Sequence, residues 1–233
     1  MHELKTITSL IMRFLSYNIN RFSQEKIEKV LQLGADVYIL PELANQSLVH
    51  LPVGYYMEWM GSLDFKGLGV IWKSGTKVEI PQWFNPRHEY ILPLLIDGKL
   101  IIAAWPTKTE RNKPKSYPQI AMEAICEYAP YFKHYPVIIS GDMNCYKGQS
   151  GETKQFSIES IVDFLSSHGF VSVYHEQTGV TIGKESTATY YHLFNENYPF
   201  FLDYTFANIP IKDYRLMKWD AEVSDHIAQY FEL

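Results

Sequence analysis

The sequence has few cysteines, no long apolar run and no surplus of positive charge, and each shortage removes a class of protein. Only Cys126 and Cys145 occur among the 233 residues. No disulfide framework is therefore indicated, and two reduced thiols in an intracellular protein are the expected state. No apolar stretch approaches the roughly 20 residues that span a bilayer. The opening MHELKTITSLIMRF lacks the apolar stretch and small-residue cleavage site of a secretory signal. The expectation is a cytoplasmic protein with no membrane association and no obligate protein partner evident. The formal net charge is −5, from 21 basic and 26 acidic side chains. Proteins that wrap on duplex DNA usually carry a positive surplus. Tight nonspecific duplex binding is disfavoured, although a local basic patch beside an acidic metal site stays compatible with the total.

What the chain does have is an ordinary apolar share, 46%, and a high aromatic share, 15%, with 17 tyrosines. Residues 13–19 (RFLSYNI) alternate apolar and polar side chains and read as a strand. Met12 stands just before it, so residues 1–11 read either as an N-terminal extension or as sequence ahead of a natural start at Met12, and 12–233 as a single domain. Residues 24–33 place Ile27, Val30, Leu31 and Leu33 at helical spacing, with Gly34 as a stop. ADVYILPEL follows as an apolar strand. GLGVIW (67–72), YILPLLI (90–96) and KLIIAAW (99–105) add strands, the last two joined at Asp97-Gly98, a tight-hairpin signal. A polar loop over 106–118, a helix near 119–132, the strand YPVIISGD, a second loop and a helix over 157–168 come next. FVSVYH, ATYYHLF, PFFLDYTFA and HIAQYFE read as the closing strands. The order predicts an α/β domain of two mixed β-sheets packed face to face with helices outside.

Polar residues gather where these strands end. Asn18 and Asn20 follow FLSY, Glu42 follows VYILP, and Asp142 and Asn144 follow VIISG. Asp203 lies within FFLDY, and Asp225 with His226 precedes IAQYF. Strand ends converge on one edge of a layered sheet, so residues far apart in sequence meet there. Several carboxylates buried together need a cation to neutralise them. Oxygen ligands and amides without Cys–His spacing favour Mg²⁺ or Mn²⁺ over zinc. Any one of these residues alone reads as a turn or cap; the ordered set does not.

That ordered set resembles the endonuclease/exonuclease/phosphatase superfamily. LSYNIN is similar to its first active-site strand, ADVYILPEL to its second, VIISGDMN to the G-D-x-N segment, FFLDYTFA to the late I-D-Y strand and VSDH to the terminal S-D-H. GLGVIW resembles the glycine-containing strand between the second and third motifs. The resemblance implies a DNase I-like four-layer α/β sandwich and a metal-dependent phosphoesterase. It implies Mg²⁺ (or Mn²⁺) at Glu42, Asp225 and Asn20, and catalysis by Asp142, Asn144, Asp203 and His226. Asp142 would activate water, and Asn144 would position it or the phosphate. Asn18 would contact phosphate or hold Glu42. His226 would stabilise charge developing on phosphate. Neighbours in an extended segment point opposite ways, so Asp203 rather than Asp225 is the expected partner of His226.

The chain also departs from the family pattern. Trp105 stands where relatives carry a phosphate-facing His or Tyr, and Pro41 replaces the usual Gln before Glu42. Trp105 is read either as a cleft wall or as a substrate contact, and Tyr190, in ATYYHLF, either as core or as a stacking platform. Lys108, Arg111, Lys113 and Lys115 are either a solvated loop or a polyanion trap. Nucleic acid leads as the substrate class, ahead of a small phosphoester such as a nucleotide, lipid headgroup or sugar phosphate. A silent binding module on the same scaffold is the rival, though it should have lost some of these acids or His226.

Overall fold

The computed structural model describes residues 11–233, so the extension expected ahead of the first strand lies, apart from Ile11, outside the described residues. The first half of the chain runs β1 (Arg13–Ser16), α1 (Gln24–Leu31), β2 (Val37–Leu43), β3 (Tyr55–Leu63), β4 (Lys66–Lys73), β5 (Val78–Glu79), β6 (Ile91–Ile96), β7 (Lys99–Ala104) and α2 (Tyr117–Tyr128). The second half runs β8 (Val137–Asp142), α3 (Ile158–Ser166), β9 (Val171–Ser172), α4 (Val173–Thr178), β10 (Tyr190–Tyr191), β11 (Pro199–Phe200), β12 (Asp203–Ala207), β13 (Asp213–Leu216) and β14 (Gln229–Glu232).

These strands form two six-stranded sheets, ordered β13-β14-β1-β2-β4-β3 and β5-β6-β7-β8-β12-β9, with β10 and β11 paired as a separate hairpin. Each large sheet is mixed: β1 pairs in parallel with β2, and β7 with β8, while the other pairs are antiparallel. Strand alternation divides the faces. Phe14, Val37, Ile39, Leu68 and Val70 share one cluster with the apolar residues of the second sheet. Leu15, Tyr38, Leu40 and Ile71 point the other way, onto Ile27, Val30 and Leu31 of α1. Helix α1 starts at Ser23, whose hydroxyl accepts from the Lys26 N–H, and its buried side chains recur every three or four residues. On the far face of the second sheet, Ala121 and Ile125 of α2 and Ile158 and Ile161 of α3 join the cluster that contains Ile101 and Ile138. The layers are therefore helix, sheet, sheet, helix. Burial of each large aliphatic side chain contributes roughly 1.5–3 kcal/mol.

Three stretches fold differently from the sequence reading. FVSVYH turns from a two-residue strand directly into α4. Val173 and Tyr174 are adjacent and both buried, which a helix allows and alternation does not. In ATYYHLF the strand stops at Tyr191, and Leu193 and Phe194 adopt left-handed backbone with φ of 53° and 59°. PFFLDYTFA is split into β11 and β12. β3 carries no clean alternation to read, because it is an edge strand that is mostly half-buried on both faces.

Candidate active site

The sheet topology brings the polar strand ends together. β1 and β2 run in parallel, so Asn18, Asn20 and Glu42 lie at their C-terminal ends. β14 runs antiparallel to β1, with Ser16 opposite Gln229, which returns Asp225 and His226 to that same edge. In the second sheet Asp142, the last residue of β8, pairs directly with Asp203, the first residue of β12. Gly141 makes this packing possible. Its φ is 151°, and a Cβ there would sit 1.9 Å from the Ala104 carbonyl oxygen of β7.

Asp142, Asp203 and His226 form a buried cluster whose ligand atoms lie within 4.8 Å of one another. His226 Nδ1 is 2.9 Å from Asp203 Oδ2, and Nε2 is 3.8 Å from Asp142 Oδ2 and 4.0 Å from Asp225 Oδ1. Asp225 and His226 therefore do not diverge as an extended segment would make them. Asp225 occupies a bend, where alternation fails. Asp142 accepts from the Asn18 side-chain amide at 2.9 Å and from the Asn144 N–H at 2.8 Å. Burial, reinforced by Asp203, pushes the Asp142 carboxyl upward against the opposing pull of His226. For His226 burial pulls the imidazole down, but Asp203, Asp142 and Asp225 outweigh it and raise the pKa to about 9. Asn144 has a left-handed φ of 51° and donates to the Pro106 carbonyl, which ties β8 to the loop after β7.

Glu42 reaches this edge through a bulge. Pro41 pairs with Leu68 and Leu43 with Gly67, leaving Glu42 as the extra residue at a φ of 66°. Its carboxylate accepts from the Arg21 N–H at 3.2 Å and lies 3.3 Å from Lys66 Nζ. The donor set here suits a hard cation. The Asp225 carboxyl is pushed up by burial and further by the facing Glu42, against the opposing pull of His226 and of the nearby Asn20 amide. Two mutually repelling carboxylates with an amide beside them are oxygen ligands of the kind Mg²⁺ takes. The Asp142–Asp203–His226 cluster suits a metal less well, because a histidine with a pKa near 9 holds its proton at neutral pH.

The remaining predicted residues are spread around this centre. The Tyr190 ring packs against the His226 imidazole with centroids 4.6 Å apart, and its hydroxyl bonds to His192 Nδ1 at 2.8 Å. Trp105 is 3% exposed, lies edge-on to Tyr90, and has the Lys66 ammonium over its ring at 5.2 Å. It is a cleft wall as well as a core residue, lining a cavity of about 590 Å³ with Tyr90 and the 107–111 loop. Of the loop cations, Lys113 pairs with Glu110 at 3.1 Å, Lys115 pairs with Glu123, and Arg111 lies 4.0 Å from Glu89.

Four residues escaped the sequence reading. Ser224 Oγ donates to the Asn18 carbonyl at 2.6 Å and accepts from the His226 N–H at 3.0 Å, so it joins the two strand ends. Thr189 Oγ1 accepts from the N–H groups of Leu202 and Asp203. Lys26 Nζ donates to the carbonyls of Ile19, Asn20 and Arg21, where Asn20 and Arg21 are both left-handed. Lys66 is the fourth. Ser224 alone had a signal, its place in VSDH.

No protein-family model matches the sequence, and no curated protein is similar to it at the level that marks relatedness. Solved structures do match. A 3′-5′ exonuclease from Neisseria meningitidis superposes with a TM-score of 0.65 at 16% identity, over 95% of this chain and 99% of that one. An AP endonuclease from Archaeoglobus fulgidus gives 0.63 at 15% identity, over 94% and 98%. An endonuclease/exonuclease/phosphatase protein from Beutenbergia cavernae gives 0.58 at 13% identity, over 95% and 71%. Likeness at such low identity is likeness of fold. The chain shares the two-sheet α/β sandwich fold of these exonuclease, endonuclease and endonuclease/exonuclease/phosphatase structures.

Proposed function

We propose that the chain is a divalent-metal-dependent hydrolase of phosphoesters, with nucleic acid as its leading substrate class. The observation that carries this reading is the juxtaposition of Asp142, Asp203 and His226 with Glu42 and Asp225 at one edge of two sheets. Hydrolysis of a phosphodiester needs a positioned water, a base for its proton and stabilisation of charge on the phosphate oxygens. Asp142 is the base. Both its oxygens already accept hydrogen bonds, from Asn144 and Asn18, so the carboxylate is fixed in orientation. Its upward shift brings its basicity nearer to neutrality, where general bases work best. His226, held and charged by Asp203, presents Nε2 to the phosphate and stabilises the developing charge. Tyr190 packs on the imidazole and limits its rotation. Glu42, Asp225 and Asn20 would hold Mg²⁺ or Mn²⁺, which when bound polarises a phosphate oxygen as a Lewis acid.

The nuclease reading is supported by the fold shared with the two nucleases above. A small phosphoester stays as the second reading on one observation: three of the four loop cations sit beside acids, which leaves little free charge for a polyanion. A panel of single- and double-stranded DNA, abasic duplex, RNA and small mono- and diesters tests both. Hydrolysis should vanish in excess chelator and return with Mg²⁺ or Mn²⁺. Glu42→Gln should stay folded and lose metal affinity. Turnover that is indifferent to chelator overturns the metal assignment.

A further inference from the structure

Among the described residues, Lys66 both pairs with Glu42 and lines the large cleft, and the chemistry above gives it no task. Its ammonium lies 3.3 Å from Glu42 Oε2 and 5.2 Å over the Trp105 ring. Trp105 and Lys66 are both in the wall of the 590 Å³ cleft, along with Lys108 and Arg111. Glu42 is the residue with the strongest claim on a divalent ion, so Lys66 now neutralises the carboxylate that such an ion would take. A monovalent ammonium and a divalent ion on one half-buried carboxylate repel each other, and at equal distance the carboxylate attracts the divalent ion twice as strongly. The lysine side chain is a four-carbon flexible stem with a third of its surface exposed. The cleft over Trp105, whose wall it already forms, is the space beside it.

We propose, resting on the hydrolase reading, that Lys66 is a phosphate ligand held in reserve. It pairs with Glu42 while the metal is absent, and metal binding releases it into the cleft. There it joins Lys108 and Arg111 to bind a second phosphate of the substrate, next to the one being hydrolysed. Two acids also line the cleft, but each is already engaged. Glu89 is bonded by the Thr109 hydroxyl and faces Arg111, and Glu110 pairs with Lys113. A displaced Lys66 therefore tips the cleft toward an anion. The substrate class selected is a phosphoester carrying two phosphates, with consecutive phosphates of a nucleic acid strand as the first source and a small bisphosphate as the second. Metal binding and substrate selection are coupled through one side chain.

Two measurements test this. Mn²⁺ titration followed by electron paramagnetic resonance should find Lys66→Met about fivefold tighter than wild type, the scale of one ion pair removed from competition. Lys66→Arg, which keeps the charge, should match wild type. In an Asp142→Asn background that does not turn over, calorimetry with Mn²⁺ present should find pTpT bound several-fold tighter than TpT. Lys66→Met should abolish that difference. 1,4-Butanediol bisphosphate against butyl phosphate is the small-molecule arm. A preference seen with nucleotides alone assigns the second phosphate to a strand, and one seen with both assigns it to phosphate chemistry in general. The proposal is overturned if Lys66→Met binds Mn²⁺ equally or more weakly, or if it keeps the two-phosphate preference. Either result, in a wild type whose hydrolysis needs metal, removes the role of Lys66 and leaves the hydrolase reading standing. A wild type that binds no Mn²⁺ removes the reading itself.

Discussion

At His226 burial and charge pull in opposite directions. Burial alone would strip the imidazole of its proton, yet Asp203, Asp142 and Asp225 surround it and hold the pKa near 9. A folded value above the unfolded one means that protonation stabilises the fold. This contribution is full below about 6.5 and is lost as pH rises through about 9. Asp142 is also shifted upward, so its neutral form is favoured by folding and its contribution likewise fades as pH rises from the ordinary carboxylate range. In chelator, the unfolding free energy from urea titrations should fall between pH 6.5 and 9.5, and His226→Gln should flatten that fall. An unchanged slope in His226→Gln would assign the alkaline limb to another group. In turnover, His226→Ala should lose roughly 10²-fold or more, as expected for a positioned acid or base. Asp203→Asn removes the leading attraction on the imidazole, so the alkaline limb of its kcat/KM profile should move to lower pH.

Among the elements, the β2 bulge carries the most consequence, because it alone aims Glu42. The extra residue is held from the side by Trp59 of β3, whose indole N–H donates to the Leu43 carbonyl at 2.9 Å. Trp59→Phe removes the donor together with the outer part of the indole that covers Gly61 and Gly67. It should cost about 1 kcal/mol for the hydrogen bond, with the lost packing in addition, and weaken Mn²⁺ binding several-fold as Glu42 drifts. A lower urea midpoint with unchanged Mn²⁺ affinity would mean that the bulge holds its shape without Trp59. None of this clamp was visible in the sequence, since Trp59 meets Leu43 only through the pairing of β3 with β4 and β4 with β2. What was visible were elements whose pattern is local. VIISGD, ADVYILPEL and KLIIAAW are apolar runs ending in the residues that matter, and all three are strands. The final third was less legible for physical reasons. Val173 and Tyr174 are apolar neighbours that suit a short helix as well as a strand, and the left-handed backbone at Leu193 and Phe194 has no glycine or asparagine to announce it. The acids and amides could be read because strand ends converge. Thr189 and Lys66 could not, because their partners are set by how segments distant in sequence pack, and Ser224 was marked only by its place in VSDH.

Over the whole molecule, charge decides how a polyanion could be held. The net charge is −5, and most cations of the basic loop after β7 sit beside acids. Lys113 and Lys115 pair with Glu110 and Glu123 at the surface. Binding to a strand should therefore release few counterions. With Lys66, Lys108 and Arg111 as the contacts, log K against log salt should have a slope of about −2, from roughly −0.7 per neutralised phosphate on single strands. Fluorescence anisotropy of a labelled oligonucleotide with the Asp142→Asn protein, from low to moderate KCl, gives this slope directly. Lys113→Ala and Lys115→Ala should leave it unchanged, whereas Lys108→Ala should lower its magnitude by about 0.7. A slope several-fold steeper, or one that depends on Lys113 and Lys115, would mean that the loop exchanges its acidic partners for phosphates on binding. The basic loop, not the Lys66 cleft, would then be the surface that grips nucleic acid.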